Sequence, residues 1–386
     1  MAWRKPLVGV VVDSTMAFGR MVLQGVMQYA NVRRRWLFQD ELRARGGKLD
    51  HWRDCDGTIL AIITPEIVQQ VSRHSRFVVS CSSTSDPETM FTVCGDDLAM
   101  GRSAAEHLMD CRLEHFGFYS TYPAPLSAKR NRGFREALAT RGFTCSEPRF
   151  LRAERDDWVN RRHWPRVTRW LQELPKPVGI MAVDDAMARE LAAICFQAGI
   201  SVPDRVAIIG VNNDELLCNV TWPPLSSVEV DFRRVGELGA KLLDRLLSGE
   251  KLTPRSCASF IPPVGVVKRA STDVLAVNDV NLSESVRFIR EHACDPCSVR
   301  DVLQHVPVGR RWLERQFIQQ LGRTPHDEIR HVQMEAARRL LLHTNLTLPE
   351  VARQSGFSAV QSFTRAFRQA MGDTPAAYRR SNAVRH

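Results

Sequence analysis

From residue 7 to about residue 268, short runs rich in Val, Ile and Phe alternate with amphipathic helical periods; beyond residue 282 the strand signals stop. The strand runs fall at 7–12, 57–63, 77–80, 116–120, 179–183 and 206–211. Helical periods lie at 21–32, 100–110, 130–140, 166–174, 185–197 and 232–248. Strands separated by single helices read as βαβ units, so the spacing predicts an α/β fold with parallel, doubly wound sheets. About six such units predict two lobes rather than one large sheet.

The chain has 386 residues, 44% of them hydrophobic and 25% charged, which excludes disordered, collagen-like and coiled-coil classes. No apolar stretch approaches the ~20 residues that span a bilayer, and Met1 to Pro6 leads into a strand rather than a signal peptide. A cytoplasmic protein without a membrane partner is the expectation. Ten cysteines are scattered along the chain and read as reduced thiols. Cys294-Asp-Pro-Cys297 is a lone C-x-x-C, short of the four ligands a structural zinc needs, so no metal is expected.

The net charge of +10 is unevenly placed. Residues 282–386 carry 16 arginines, no lysine and 10 acidic residues, a net +6. An Arg-only basic module suits phosphate and base-edge recognition. Around Lys268-Arg269-Ala270-Ser271-Thr272-Asp273 the texture turns polar, which sets the domains at 1–270 (two lobes) and 282–386, with 271–281 as a linker. Capping-box spacings at Asn281 to Glu284, Thr347 to Glu350 and Ser358 to Gln361, with Thr324-Pro325 and Thr374-Pro375, start successive helices.

This all-α module contains a repeat. Leu313-Glu-Arg-Gln-Phe317 overlays Phe363-Thr-Arg-Ala-Phe367, and Gly322-Arg-Thr-Pro325 overlays Gly372-Asp-Thr-Pro375, each at an offset of 50. A helix over 325–343 joins the copies. Each copy reads as a helix-turn-helix, whose second helix enters the major groove. In the second copy the first helix spans 347–355, Gly356 makes the turn, and Ser358 caps a helix running to 371. Phe363, Phe367 and Met371 form its apolar stripe, leaving Ala359, Val360, Gln361, Thr364, Arg365 and Arg368 outward. In the first copy, 299–306 precedes 309–321, with Leu313 and Phe317 inward and Arg310, Arg311, Glu314, Arg315 and Gln319 outward. Gln pairs with adenine, Val touches a thymine methyl, and Arg takes guanine or phosphate. One copy alone would read as the solvated face of a small bundle; two copies with the same turn, stripe and terminal Arg favour DNA readout.

The stretch from Glu350-Val-Ala-Arg-Gln-Ser-Gly-Phe-Ser358 through Phe363-x-Arg365-x-Phe367 to Gly372-x-Thr-Pro375-x-x-Tyr378-Arg379 resembles the signature of the AraC/XylS-type DNA-binding domain. The resemblance covers 282–380 and implies sequence-specific binding to double-stranded operator DNA. Pro307 departs from it, since proline fixes φ and lacks a donor in the first unit's turn. Residues 7–268 resemble the effector domain of the LacI/GalR family, on Gly179-Ile-Met-Ala-Val-Asp184-Asp185, Val206-Ala-Ile-Ile-Gly210-Val-Asn212-Asn213-Asp214 and Pro223-Pro-Leu-Ser-Ser-Val228. That likeness implies a ligand between two lobes. The N-terminal DNA-binding helices usual in that family are not seen, and the reader stands at the other end.

A LacI-type sensor ahead of an AraC-type reader is similar to the order in xylose-responsive activators. Ala17-Phe18-x-Arg20-x-Val-x-x-Gly25, Arg43-Ala-Arg45, Pro262-Pro263-Val264 and Arg269-x-Ser-Thr-Asp273 are also similar to that group. The resemblance implies D-xylose, or another small sugar, as effector. Adjacent sugar hydroxyls suit Asp, Asn and Arg, at the C-terminal ends of parallel strands. By family position Arg130, Asp184 and Asn212 are the first ligand contacts, followed by Asp185, Asp13, Phe18 and Arg20. Asn212 stands where many relatives carry Asp.

Enzyme readings find little support. The pairs Asp184-Asp185 and Asp156-Asp157 are adjacent and point apart, and no second acid at a defined separation is identifiable. There is no G-x-S-x-G, H-E-x-x-H, P-loop or G-x-G-x-x-G, nor the cysteine signature of an AraC-fused methyl acceptor, so no catalytic residue or cofactor is assigned. A transport sugar-binding protein would need a signal peptide and no reader. The expectation is a sugar-responsive homodimeric activator on paired half-sites, with RNA polymerase as a further partner; an AraC-type regulator of another sugar or a non-sugar molecule is the alternative.

Overall fold

A computed structural model describes residues 5–33, 36–41, 49, 53–61, 64–121, 125–148, 161–274, 279–295 and 297–383. The chain separates into two compact units, Met1–Val274 and Leu275–His386.

The first unit holds two sheets. In chain order it runs β1 (Leu7–Val11), α1 (Ala17–Arg33), β2 (Leu37–Glu41), β3 (Gly57–Leu60), α2 (Pro65–Arg73), β4 (Val78–Ser80) and β5 (Phe91–Gly95). Then come α3 (Asp97–Asp110), β6 (His115–Tyr119), α4 (Pro125–Ala139), β7 (Cys145–Ser146), α5 (Trp164–Glu173), β8 (Val178–Ala182), α6 (Asp185–Gln197) and β9 (Val206–Val211). It closes with α7 (Glu215–Val220), β10 (Ser226–Glu229), α8 (Phe232–Leu247), α9 (Pro254–Cys257), β11 (Ser259–Ile261), β12 (Gly265–Val267) and a 3-10 turn at Ala270–Thr272. Among the described residues the strand orders are β11-β5-β4-β3-β1-β2 and β12-β10-β9-β8-β6-β7. All pairs are parallel except β10 with β12. Each sheet is one lobe, as expected, and the chain crosses between them after β5, after β10 and between β11 and β12.

The six strand runs read from the sequence are present. Six further strands, β2, β5, β7, β10, β11 and β12, were not read, because they are short and mix Ser, Gly, Cys and charged residues into the apolar pattern. Strands β8 and β9 are buried along their whole length, as central parallel strands are. Helices α3 and α4 meet backbone to backbone: a Cβ on Gly101 would lie 2.0 Å from the carbonyl oxygen of Arg130, and one on Gly133 would lie 2.1 Å from that of Leu98. Only glycine permits this approach.

The stretch read as a linker, 271–281, is folded at both of its described ends. Ser271 and Thr272 are fully buried, and helix α10 (Val280–His292) already begins before its end. Its cap is Asp279, accepting from the N–H groups of Asn281 and Leu282, rather than Asn281. Residues 275–278 lie outside the described residues, as do Arg43-Ala-Arg45, Asp156 and Asp157.

After α10 the second unit runs α11 (Val299–His305), α12 (Arg310–Leu321), α13 (Pro325–His343), α14 (Leu348–Gln354), α15 (Val360–Met371) and α16 (Pro375–Ala383). It has two apolar cores, one around Leu282, Val286, Leu313 and Phe317, the other around Leu341, Val351, Phe363 and Phe367. The repeat read from the sequence is thus two subdomains joined by α13. Both α12 and α15 end on a left-handed glycine, Gly322 and Gly372. Carboxylates of Asp301, Asp327 and Glu350 accept from the N–H of Ser298, Thr324 and Thr347, starting α11, α13 and α14.

Candidate functional site

In the second lobe, α3, α4, β8 and β9 converge on Arg130. Its Nε donates to Asp97 Oδ1 at 2.8 Å, its Nη1 to the Val183 carbonyl at 2.6 Å, and its Nη2 to Asn212 Oδ1 at 3.5 Å. Val183 and Asn212 follow β8 and β9, at the strand ends where α/β sheets place ligands. Arg130 is 5% exposed, and a buried arginine with a carboxylate partner is a preorganised, charge-assisted donor set. Asp184 caps α6, accepting from the Met187 N–H at 2.8 Å. Beside Arg130, Lys129 Nζ donates at 2.9 Å to the carbonyl of Ser83, which follows β4 of the other lobe, so this end of α4 faces the cleft.

Asp97 was missed by sequence reasoning. Its signal is an Asp-Asp pair opening α3, in which Asp96 is the cap and Asp97 is left for Arg130.

Asp185 does not belong to the cluster. It is 1% exposed, its Oδ1 accepts from Ser227 Oγ at 2.6 Å and its Oδ2 from the Asp214 N–H at 2.7 Å. Those internal donors make it a clamp between α6 and the β9 and β10 ends. Burial pushes its carboxyl up to about 7, against the hydrogen bonds that pull it down.

Asp13, Phe18 and Arg20 lie in the first lobe. Asp13 accepts from the N–H of Thr15 at 2.9 Å and from its hydroxyl, and Arg20 Nη1 donates to the carbonyls of Ser14 and Thr15. Phe18 packs edge-on against Phe232, with ring centroids 4.8 Å apart. Phe18 is therefore spent on the core, and Arg20 on shaping its own loop.

In the second unit, Arg310, Arg311, Arg315 and Gln319 are exposed on α12, and Arg310 donates to the half-buried Glu314 at 2.9 Å. On α15, Gln361, Arg365 and Arg368 are exposed and Thr364 is half-buried. Two corrections apply here. Val360 is packed on the second core rather than free. Ser358 does not cap α15: the cap is Ala359, in extended backbone, with Ser358 exposed one residue earlier. The two turns are also built differently. Gly356 takes φ +85, whereas Pro307 is exposed after an extended Val306, the conformation that proline imposes on its predecessor. Leu313 and Phe317 of α12 remain fully buried, so Pro307 leaves the first unit's core intact.

The thiols of Cys294 and Cys297 are pushed above the ordinary range by burial, which disfavours the thiolate. No helix among the described residues is long and apolar enough to cross a membrane.

Two lobes, with a buried Arg130–Asp97 pair at the strand ends of the second, joined in one chain to a doubled helix-turn-helix, define a ligand-sensing, DNA-binding transcription regulator. Residues 105–272 match a periplasmic binding protein-like domain and residues 303–381 a helix-turn-helix domain. The xylose operon regulatory protein of Escherichia coli K12 is 30% identical over 382 residues, 96% of either chain. That of Haemophilus influenzae is 27% identical over 383 residues, 96% of this chain and 97% of its own. The solved structure of a xylose-binding transcription activator superposes with a TM-score of 0.81 at 29% identity, covering 99% of this chain and 100% of that one. The chain belongs to the family of xylose operon regulatory proteins.

Proposed function

We propose that the chain is a D-xylose-responsive activator that binds the sugar between the lobes of its first unit and reads operator DNA through α12 and α15. The observation that carries the effector site is the Arg130 guanidinium, fixed by Asp97, the Val183 carbonyl and Asn212 at the ends of adjacent parallel strands. Asp184, the residue after Val183, and Asp13, which follows β1 in the first lobe, serve as further contacts. A sugar that bridges both lobes stabilises the closed arrangement by its differential affinity for the two states. Arg310, Arg311, Glu314, Arg315, Gln361, Thr364, Arg365 and Arg368 form the DNA-reading set, with Ser358 as a backbone contact.

A homodimer placing two readers over paired half-sites accounts for the doubled reader, each recognition helix serving one major-groove segment about 34 Å from the next. RNA polymerase is the partner an activator requires, and the cytoplasm is where operator DNA is met. No catalytic step enters this reading.

Calorimetric titration with D-xylose, then arabinose, ribose and glucose, tests the effector. Selective D-xylose heat, lost in Arg130→Ala with the fold retained by circular dichroism, is expected. Heat from a different sugar alone reassigns the effector; unchanged titration in Arg130→Ala places the cleft elsewhere.

A further inference from the structure

The motif Arg269-x-Ser-Thr-Asp273 has no part in the cleft, yet it is bound to the strand ends that form it. Asn212 and Asn213 both take left-handed backbone, at φ +104 and +50. For residues other than glycine this is costly and persists only where the surroundings enforce it. Asn212 meets Arg130. Asn213, the next residue, turns its amide the other way: its Oδ1 accepts from Arg269 Nη2 at 2.8 Å, and its Nδ2 donates to Glu229 Oε1 at 3.3 Å. Glu229 ends β10 immediately before one crossing to the first lobe, and its carbonyl accepts from the Val264 N–H at another crossing. One amide thus joins the hinge side of the unit to Arg269.

Arg269 in turn starts the segment by which the chain leaves the sensor. Its Nη1 donates to the Leu225 carbonyl and its N–H to Ser226 Oγ, both at 2.8 Å. Ser226 N–H donates to Ser271 Oγ at 2.8 Å, and Ser271 Oγ donates to the Ile208 carbonyl at 2.6 Å. A plain tether would not need buried hydroxyls pinned to two strands of a sheet. Buried polar groups in such a connected set shift together, because leaving one unpaired costs more than moving it with its partner.

We propose that Asn213 and Arg269 are the positioning pair that transmits effector occupancy from the Arg130–Asn212 cluster to residues 269–273, the strand of chain leading to the DNA-reading unit. The proposal rests on the effector reading given above. Closure around the sugar displaces Asn212, Asn213 turns with it, and the Arg269 fork carries the exit segment along. Asn213 and Arg269 do not touch the sugar, so their role lies in coupling and not in affinity.

Hydrogen exchange of the full chain, with and without saturating D-xylose, reads this directly, alongside calorimetry on the same samples. In the wild type, sugar changes the exchange of Ser271, Thr272 and Asp273 several-fold. In Asn213→Gly, which keeps the backbone conformation and removes the amide, and in Arg269→Lys, which keeps the charge and loses the fork, the sugar dissociation constant stays within a factor of about two. The sugar-dependent change at 271–273 disappears in both variants, while their melting temperatures show them folded. A sugar effect that persists in both variants overturns the proposal, as does sugar heat in the wild type with unchanged exchange at 271–273. Absence of heat from the wild type with any of the four sugars removes the effector reading itself, and the coupling with it.

Discussion

Gln333, in the middle of the long helix α13, donates from its Nε2 to the carbonyl of Ala293 at 2.8 Å, and the same nitrogen lies 3.4 Å from the carbonyl of Gly356. The buried amide joins the end of α10, in the first subdomain, to the turn of the second helix-turn-helix. At Gly356, φ is +85, and a Cβ there would stand 2.6 Å from the Ala293 carbonyl oxygen. The spacing of the two readers is therefore held by a contact between subdomains as well as by α13.

Gly356→Ala combines left-handed strain with that clash, so it should destabilise the second unit by about 2–3 kcal/mol. Chemical denaturation of the full chain, followed at the transition of this unit, measures it. A midpoint equal to that of the wild type would remove the contact from the account.

Glu328, at the start of α13, is fully buried between Arg323 and Arg290, the latter at 3.8 Å. Glu328→Gln removes the buried negative charge that lies between the two arginines and should cost about 3 kcal/mol. Replacing all three with Glu328→Leu, Arg290→Met and Arg323→Met should recover most of the loss. A triple variant as unstable as Glu328→Gln would mean that the packing, not the charges, is at fault.

Asp185 sets a pH dependence of stability in the sensor. Its carboxyl rises from 3.8 to about 7, with burial the main cause, Ser227 and the Asp214 N–H opposing it, and Asp184 and Asp214 adding to it. The folded state keeps a proton that the unfolded chain has released, so the contribution of Asp185 to stability is greatest below about pH 4, falls as pH rises to about 7, and is flat above. Between pH 5 and 8 the wild type should lose roughly 2–3 kcal/mol more than Asp185→Asn. Parallel denaturation curves for the two proteins across that range would contradict the assignment.

Gln361→Ala and Arg365→Ala should each weaken binding by ~1–3 kcal/mol to duplexes that the wild-type protein selects from a random pool, and relax specificity at one or two positions. Arg368→Ala, if it meets phosphate, weakens all sequences alike and lowers the salt slope. A selected sequence unchanged in Gln361→Ala removes Gln361 from base readout.

The alternation of strand and helix made the two-lobed α/β unit legible from the sequence, and the Gly-x-Thr-Pro repeat did the same for the doubled helix-turn-helix. Edge strands such as β7 and β12 were not, because two or three residues containing Ser or Gly carry no period; tertiary pairing makes them. Arg130 and Asn212 were singled out by family position, and the fold brings them to 3.5 Å. Asp184 and Asp185, adjacent carboxylates, look alike in sequence, but the fold gives Asp185 internal partners. Burial, the Ser227 hydroxyl and the Asp214 N–H set it apart from Asp184. Asp97 escaped because a residue opening a helix reads as helix chemistry, and its partner lies 33 positions away in the chain.

The lobes exchange chain three times, and β11, built from residues 259–261, completes the first sheet against β5. A ribosome therefore cannot finish the first lobe until almost all of the second has emerged, and until then β5 waits with an open edge, the template for misassociation. Because the sensor precedes the reader, synthesis interrupted beyond the sensor yields both lobes without a reader. An unregulated reader is the one product that truncated translation cannot make.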